Sequence, residues 1–293
     1  MSSKRPRTIQ IFLQSGDPSG VRIAEQTTSI IRVIEVPRSQ LADFLKMPEA
    51  RQVGLYFLFS RDHKNELYIG QTGEVGTRLQ SHDKSLTKDW DRALVMVSLT
   101  NNLTQTHVLY LESVSIEKAK SCGRYEVVNG NSGQRPYTPL PLKVDCDEMH
   151  EIGALLLATL GYPVFEPLRN AAEAEEDERV YCTRAGVEAS GYYTNEGLVV
   201  LKDSSAPYKT KRQTDPRIVQ KRDELLKSGV LAQQNDRVVF TRDYLFNTPS
   251  GASCLLLLSA SNGWIDWKTK DGQTLQAFHG RQVDAALPQN DQG

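Results

Sequence analysis

The sequence predicts an α+β protein with two domains, a small antiparallel sheet flanked by helices followed by a second α+β domain. Short β-type runs alternate with helical patterns in the order β-β-α-β-α through the first half of the chain. The 293 residues exceed one typical domain of roughly 100 to 200 residues. An acidic segment from Glu173 to Glu178 separates two differently patterned regions.

The N-terminal segment 1–49 is predicted to be an extension of strands and a short helix. The apolar and β-branched run 8–13 indicates a strand, and residues 16–20 contain the glycines and proline of a turn. The run 29–36 indicates a second strand. In residues 40–45, apolar side chains recur at helical spacing.

The first domain is predicted to span residues 50–168 and to begin with a β-hairpin over 54–70. The residues between the two hairpin strands are polar, as in a turn. Apolar periodicity, helix caps and stop signals then predict three helices and one buried strand. These are the helices 73–82, 106–120 and 147–160, and the strand 94–99.

The second half is predicted to hold an acidic linker at 169–180, a domain at 181–280 and a loose tail at 281–293. Strand-like runs occupy 191–201 and 237–241, and a basic helix is predicted over 216–226. Thr248 followed by Pro249 is typical of a helix start.

Composition indicates an ordinary globular protein. Apolar residues make up 39% of the chain and charged residues 24%, which excludes disordered and fibrous classes. No apolar run approaches the ~20 residues of a membrane span, and the N-terminus lacks a signal-peptide core, so we expect no membrane partner and a cytoplasmic protein. The four cysteines are scattered, which favours reduced thiols over disulfides or a zinc ribbon.

Tyr56 and Tyr68 are the first candidate catalytic residues. Each lies in an apolar run on one strand of the predicted hairpin, so the two phenols can share one face of the sheet. A strand tyrosine is usually a core or surface residue, and the flanking Gly54 and Gly70 are what make this pair notable.

Arg78, His82 and Glu112 complete the candidate site. Arg78 and His82 are four residues apart and share one face of the predicted helix, where a guanidinium can bind phosphate oxygens. Glu112 is surrounded in sequence by apolar residues, where a carboxylate needs a partner such as a divalent cation. An ordinary amphipathic helix with solvated charges is the competing interpretation for each.

The two runs Gly54-Leu55-Tyr56 and Tyr68-Ile69-Gly70, followed in order by Arg78, His82 and Glu112, resemble the GIY-YIG nuclease family. The resemblance covers roughly residues 50–135. Leu55 stands where the name of the family has isoleucine, which is a conservative apolar exchange.

The resemblance implies a phosphodiester hydrolase that uses Mg²⁺, or Mn²⁺, held by Glu112, and a motif tyrosine as general base. Either Tyr56 or Tyr68 can be that base. In the family, an asparagine after the glutamate helix helps to organise the site, and here Asn129 is the first candidate and Asn131 the second. These residues would together act as an endonuclease on DNA.

The second half contains a basic stretch that we predict to contact the DNA backbone. Residues 209–227 include seven basic and three acidic side chains, in a chain whose net charge is −1. A solvated helix face is an equal alternative. The candidate contacts are Lys209, Lys211, Arg212, Arg217, Lys221 and Arg222.

Motifs further on, including Asn262-Gly263-Trp264 and Asn247-Thr248-Pro249, resemble a C-terminal domain of unknown function that recurs behind nuclease and restriction-related modules. The helix start at Pro249 and Ser250 can offer N–H groups to a phosphate, and Trp264 and Trp267 can stack a base or fill a core.

The sequence thus predicts a metal-dependent DNA endonuclease that serves restriction, phage defence or repair. One alternative is a non-catalytic DNA-binding adaptor. The other is an RNA-directed nuclease, because nothing in the chain distinguishes deoxyribose from ribose. The oligomeric state is open: a monomer would nick DNA, whereas a homodimer could break both strands.

Overall fold

The structure, a computed structural model, describes residues 6–60, 66–85, 89–129, 137–168, 178–209 and 215–286. The chain divides into two compact units, Met1–Glu166 and Pro167–Gly293. Both units mix helices with largely antiparallel sheets, so the predicted α+β class is confirmed.

The first unit is built on one seven-stranded sheet with the order β1-β2-β3-β6-β4-β5-β7. Neighbouring strands are antiparallel except β5 and β7, which are parallel. All six residues of β4 are buried because this strand has a neighbour on each side and helices on both faces. The strands are β1 Ile9–Leu13, β2 Arg22–Gln26, β3 Ile31–Pro37, β4 Gly54–Phe59, β5 Glu66–Thr72, β6 Arg92–Ser98 and β7 Glu126–Val127.

Four helices cover the two faces of this sheet: α1 Leu41–Phe44, α2 Val75–Lys84, α3 Gln105–Cys122 and α4 Leu140–Thr159. Side chains alternate between faces along each strand, which gives the unit two cores. Leu55, Phe57 and Ile69 pack on the side of α3 and α4. Tyr56 and Leu58 pack on the opposite side, with α1 and α2.

The N-terminal segment belongs to the same sheet as the hairpin, since β3 pairs with β6. The sequence indicated β1 and β3 but missed β2. This strand has only two apolar residues, Ile23 and Ala24, and polar residues surround them. Pairing with a strand on each side makes it a strand despite this weak pattern.

Two helix starts differ from their predicted positions. Helix α3 begins at Gln105, after a capping box in which Thr104 and His107 bond each other's backbone N–H groups. Helix α4 begins at Leu140 rather than at 147, because Pro141 fits a first helical turn. Leu140 and Val144 are exposed, so the first part of α4 has no apolar stripe that would predict a helix from the sequence.

The second unit contains a five-stranded antiparallel sheet, β14-β10-β9-β8-β15, and a three-stranded sheet, β11-β13-β12. Val180, Phe240 and Trp267 lie in its core, with helix α6. The elements are β8 Arg179–Cys182, β9 Ala189–Thr194, β10 Gly197–Val200, β11 Ser205–Pro207, α5 Pro216–Lys227, β12 Leu231–Gln234, β13 Arg237–Phe240, β14 Tyr244–Phe246, α6 Pro249–Leu257, α7 Gly263–Asp266, β15 Lys268–Thr269 and α8 Leu275–Ala286.

The limits of this unit differ slightly from prediction. Strand β8 begins inside the predicted linker 169–180, of which residues 169–177 lie outside the described residues. Helix α8 runs to Ala286, so the first residues of the predicted tail 281–293 are helical. Within the described ranges, no helix is both long and apolar enough to cross a membrane.

Candidate active site

The hairpin of β4 and β5 places Tyr56 and Tyr68 on one face of the sheet, with ring centroids 6.2 Å apart. Tyr56 is paired with Gly70, and Leu58 with Tyr68. A side chain at Gly70 would overlap the hydroxyl of Tyr56, so the glycine leaves the space in which that phenol lies.

Helix α2 brings Arg78 and His82 to the hydroxyl of Tyr56. The Nε of Arg78 donates a hydrogen bond to Tyr56 Oη over 3.1 Å. The Nε2 of His82 lies 3.0 Å from the same oxygen, and the His82 ring is also 5.8 Å from that of Tyr68. The spacing of four residues therefore brings both side chains of α2 into contact with the hairpin.

A glycine also allows α2 to lie close to its neighbours. A Cβ atom at Gly76 would lie 2.9 Å from the backbone oxygen of Ala50, which is tighter than ordinary packing. The N–H of Val75 donates to the carbonyl of Gln52 over 3.1 Å. Residues just before the hairpin thus hold the start of α2.

The Tyr56 phenol is 1% exposed, and its surroundings favour the protonated form. Burial raises its pKa to about 12, although the bond from Arg78 acts in the opposite direction. The charge of Tyr68 and a hydrogen bond with it raise the pKa further. The pKa of Arg78 is raised in turn, first by its bond to Tyr56. At neutral pH, Tyr56 is therefore a neutral phenol beside a permanent cation.

Glu112 approaches this group from α3 and is half-buried. Burial raises the pKa of its carboxyl, whereas the backbone N–H of Gln71 and the charge of Arg78 lower it. Gln71 follows Gly70 on β5, so the carboxylate reaches the site at the strand's outer edge. The sequence did not indicate Gln71, because its contribution is a backbone group that any residue carries.

Asn129 contacts the same edge rather than the phenols. Its Nδ2 donates to the carbonyl of Ile69 over 2.6 Å, and the N–H of Ile69 donates to its Oδ1 over 3.1 Å. The N–H of Val128 also bonds the carbonyl of Leu67. Asn129 therefore supports the strand that carries Tyr68, and its alternative, Asn131, lies outside the described residues.

The structure thus brings five of the six predicted catalytic residues into one cluster and gives the sixth a backbone contact. Across the described ranges, no group of three or more His, Cys, Asp or Glu side chains could hold a metal ion. Glu112 is the predicted metal ligand of this cluster, and a single carboxylate suits an ion that keeps most of its waters.

The predicted DNA-contacting stretch needs a correction at Arg222. This residue is 3% exposed, and it donates from Nη2 to the carbonyl of Pro207 over 2.8 Å. Burial lowers its pKa to about 10. A guanidinium packed beneath α5 cannot reach a DNA phosphate, so its predicted role is wrong.

The other basic residues of the stretch have mixed placements. Lys209 is exposed, and Lys211 and Arg212 lie outside the described residues. Arg217 bonds Asp215, which caps α5, over 2.7 Å. Lys221 lies 3.4 Å from Glu224. Both exposed pairs can exchange their partner for a phosphate at little cost.

The start of α6 makes hydrogen bonds within the protein. Thr248 Oγ1 accepts from the N–H of Gly251 over 3.0 Å, and Ser250 Oγ accepts from the N–H of Gly263. Trp267 is fully buried and donates to the carbonyl of Pro249. The described contacts favour the core interpretation of Trp267, and a phosphate at the start of α6 stays a prediction.

Trp264 is only partly buried. Its ring packs against Tyr193 and His279, with centroid distances of 5.1 and 5.9 Å. Such distances are those of rings in mutual contact, so these three side chains form an aromatic cluster.

Residues 180–279 match a protein family described as Domain of unknown function (DUF4357). This match confirms the predicted C-terminal domain of unknown function and covers most of the second unit. No curated protein and no solved structure matches the chain. The protein is therefore an α+β protein with a tyrosine-centred polar cluster and a C-terminal region that matches this domain family.

Proposed function

We propose that this chain is a metal-dependent endonuclease of the GIY-YIG type that hydrolyses DNA phosphodiester bonds. The observation that carries the proposal is the convergence of Arg78 and His82 on the hydroxyl of Tyr56, at 3.1 and 3.0 Å. This site combines a cation, an imidazole and a phenol, and a second tyrosine and a carboxylate lie beside them. Such a set of groups suits phosphoryl transfer. Titratable groups with shifted pKa values that gather in this way are candidates for a functional site.

Arg78 is the residue that would bind the scissile phosphate. Arg78 is an exposed residue, and its Nε already donates to Tyr56. The terminal nitrogens can then meet two phosphate oxygens and offset the charge that develops on them during attack by water. A fixed Arg78 loses little further freedom when DNA binds.

In this proposal, the tyrosines and His82 take the proton from the attacking water. With a pKa of about 12, Tyr56 is a poor base by itself at neutral pH. It can accept a proton only as it gives its own away, and His82 Nε2 lies within hydrogen-bond distance. We infer that Tyr56 and His82 act as one proton acceptor, with the less buried Tyr68 nearer to the water.

Glu112 would hold the metal ion, Mg²⁺ or Mn²⁺. Its carboxyl is half-buried with a raised pKa, a state that a bound divalent cation would reverse. One carboxylate fits an ion that takes its other ligands from water and phosphate. When bound, such an ion would stabilise the leaving oxygen.

DNA is the proposed partner, bound in part by the exposed basic residues of the second unit. Lys209 and Lys221 remain candidates, with Arg217 once it leaves Asp215. We propose a cytoplasmic protein, because Cys122, Cys146, Cys182 and Cys254 are all free thiols. A homodimer would place two such sites on one duplex, and restriction, phage defence or repair would use the resulting cuts.

The decisive experiment incubates supercoiled plasmid with the parent protein, Glu112→Ala and Glu117→Ala, in Mg²⁺, in Mn²⁺ and in chelator. Glu117 is an exposed residue on the same helix and serves as the matched control. We expect metal-dependent nicking or linearisation by the parent and by Glu117→Ala. Glu112→Ala should lose on the order of 10²-fold or more in rate, as when one charge-stabilising group is removed.

The same variants, tested also with an RNA substrate and for retardation of DNA in a gel, decide among the alternatives. DNA retardation without cleavage by every variant would replace the nuclease with a DNA-binding adaptor. Cleavage of RNA, but not of plasmid, would identify an RNA-directed nuclease. Equal cleavage by Glu112→Ala and the parent would refute the metal role of Glu112.

A further inference from the structure

Arg38 lies outside the region that resembles the nuclease family, directly after β3, and its side chain reaches the end of α2. Its Nε donates to Asp83 Oδ1 over 2.8 Å. Its Nη2 donates to the backbone oxygen of Asp83 over 3.0 Å. One guanidinium therefore binds both the side chain and the main chain of a single residue in the last turn of the helix.

The same guanidinium is also attached to the segment that leads into β6. Its Nη1 donates to the carbonyl of Trp90 over 3.3 Å, and the group lies 5.3 Å from the centre of the Trp90 ring. The backbone N–H of Arg38 donates to the carbonyl of Asp91 over 2.9 Å. Trp90 is 1% exposed in the core that also contains Tyr56. Arg38 thus joins the end of α2 to a fixed part of the core.

The position of this attachment along α2 gives it functional meaning. Asp83 directly follows His82, whose ring lies against Tyr56. Carbonyls in the last turn of a helix have no intrahelical partner, and a cation there is favourable. A bond to the Asp83 carbonyl therefore restrains the turn that carries His82, whereas Arg78 lies one turn earlier and is held by Tyr56 directly.

We propose that Arg38 is a positioning residue for the candidate active site, which holds the last turn of α2 so that His82 remains within hydrogen-bond distance of Tyr56. Arg38 acts through Asp83 and touches none of the proposed reacting groups. The proposal rests on the proposed function for its catalytic meaning, but its structural core is the restraint on His82.

An open cavity of about 750 Å³ borders Arg38 and Trp90. Asp83 is itself exposed, so loss of the guanidinium would leave the Asp83 carbonyl with solvent as its partner. The turn would fray, because the last turn of a helix is its least restrained part. Lysine at this position can make one of the three bonds, since it lacks the planar fork of arginine.

Arg22 offers a closely matched control. It also donates to a carbonyl at a helix end, that of Leu160 after α4, over 3.1 Å. Its Nε also pairs with a carboxylate, that of Glu35, over 2.6 Å, although Glu35 is buried whereas Asp83 is exposed. Its partner Glu35 also accepts from Tyr162 on the α4 side of the sheet. Arg22→Gln should therefore weaken the first unit without disturbing α2.

The test compares the parent, Arg38→Gln, Arg38→Lys and Arg22→Gln by two measurements. The imidazole nitrogens of His82 are observed by NMR in ¹⁵N-labelled protein and assigned with His82→Gln. Plasmid cleavage is then followed over a range of DNA concentrations to separate kcat from KM.

In the parent, we expect one sharp set of His82 signals, and Arg22→Gln should reproduce it. Arg38→Gln should shift or broaden these signals and lower kcat about tenfold to a hundredfold, as small displacements of catalytic groups do. KM should change by no more than about twofold, because Arg78 still binds phosphate. Arg38→Lys should give His82 signals and a kcat between those of the parent and of Arg38→Gln.

Unchanged His82 signals in Arg38→Gln, or the same change in Arg22→Gln, would overturn the proposal. Should Arg38→Gln fail to fold, Arg38→Lys decides by the same criteria. The NMR measurement does not depend on activity. A parent protein that cuts no DNA would therefore contradict the proposed function, and the NMR signals would still test the restraint on His82.

Discussion

The chemistry of individual residues in this protein depends on which groups surround them. A tyrosine and an arginine have fixed identities in the sequence, yet Tyr56 has a pKa near 12 and Arg222 is a buried cation. The spacing of Arg78 and His82 did predict that both face one point, because helix geometry is local. The burial of Arg222 was not predictable in this way, since it depends on Pro207 and its neighbours.

His150 provides a test of burial at the scale of a single residue. It is 3% exposed, and burial lowers its pKa to about 4, with the charge of Lys118 acting in the same direction. The unfolded chain therefore takes up a proton below about pH 6.5, before the folded protein does. The folded state is stabilised above that pH and loses the contribution as the pH falls towards 4.

We therefore expect the free energy of unfolding to fall by roughly 3 kcal/mol between about pH 6.5 and 4 through His150 alone. Replacement by leucine should remove most of this pH dependence, which urea unfolding at several pH values measures. His107→Leu, in the capping box of α3, is the comparison and should retain it. An unchanged slope in His150→Leu would show that other groups control acid stability.

At the scale of elements, the outer edge of β5 is closed in an ordered way by the chain that follows. Val128 bonds the carbonyl of Leu67, Asn129 bonds both backbone groups of Ile69, and Glu112 accepts from the N–H of Gln71. An unpaired strand edge usually needs such protection. Here the protecting groups also fix the strand that carries Tyr68, which gives Asn129 a physical role in the site.

Asn129→Ala should leave both backbone groups of Ile69 without their present partner. We expect a loss of about 1 to 3 kcal/mol in the free energy of unfolding, as for a removed partner of buried polar groups. Val128→Ala is the matched control, because its backbone bond to Leu67 survives and its side chain is exposed. Denaturant titration distinguishes the two, and equal stability in both variants would contradict the closure of this edge by Asn129.

The elements also show where sequence patterns suffice. Helix α2 and strand β6 have local signals, so their positions agree with prediction to within two residues. Strand β2 and the first turns of α4 were missed. Pairing partners make β2 a strand, and the exposed residues of α4 have no apolar stripe to indicate a helix.

For the whole molecule, a net charge of −1 provides no general attraction to DNA, so any affinity for DNA must come from local groups. The double variant Lys209→Gln with Lys221→Gln should weaken DNA binding. It should also reduce the slope of log K against log salt by about 1 for each phosphate that the variant no longer neutralises. Arg222→Met serves as the control, because the buried guanidinium should contribute nothing to either quantity.

Fluorescence anisotropy with a labelled duplex at several salt concentrations makes this measurement. A salt slope that is unchanged in the double variant would exclude Lys209 and Lys221 from the DNA-binding surface. A reduced slope in Arg222→Met would show that α5 exposes this residue when DNA binds.

The sequence by itself determined the α+β class, the hairpin with its two tyrosines, and the order of Arg78, His82 and Glu112. These features depend on local periodicity and on residue identity, which a linear pattern carries. Only the tertiary structure decided that Arg38 bonds Asp83 at the end of α2, that Gln71 offers its backbone to Glu112, and that Arg222 is buried. Each of these contacts joins residues distant in sequence or uses groups common to every residue, so only the packing of strands and helices creates it.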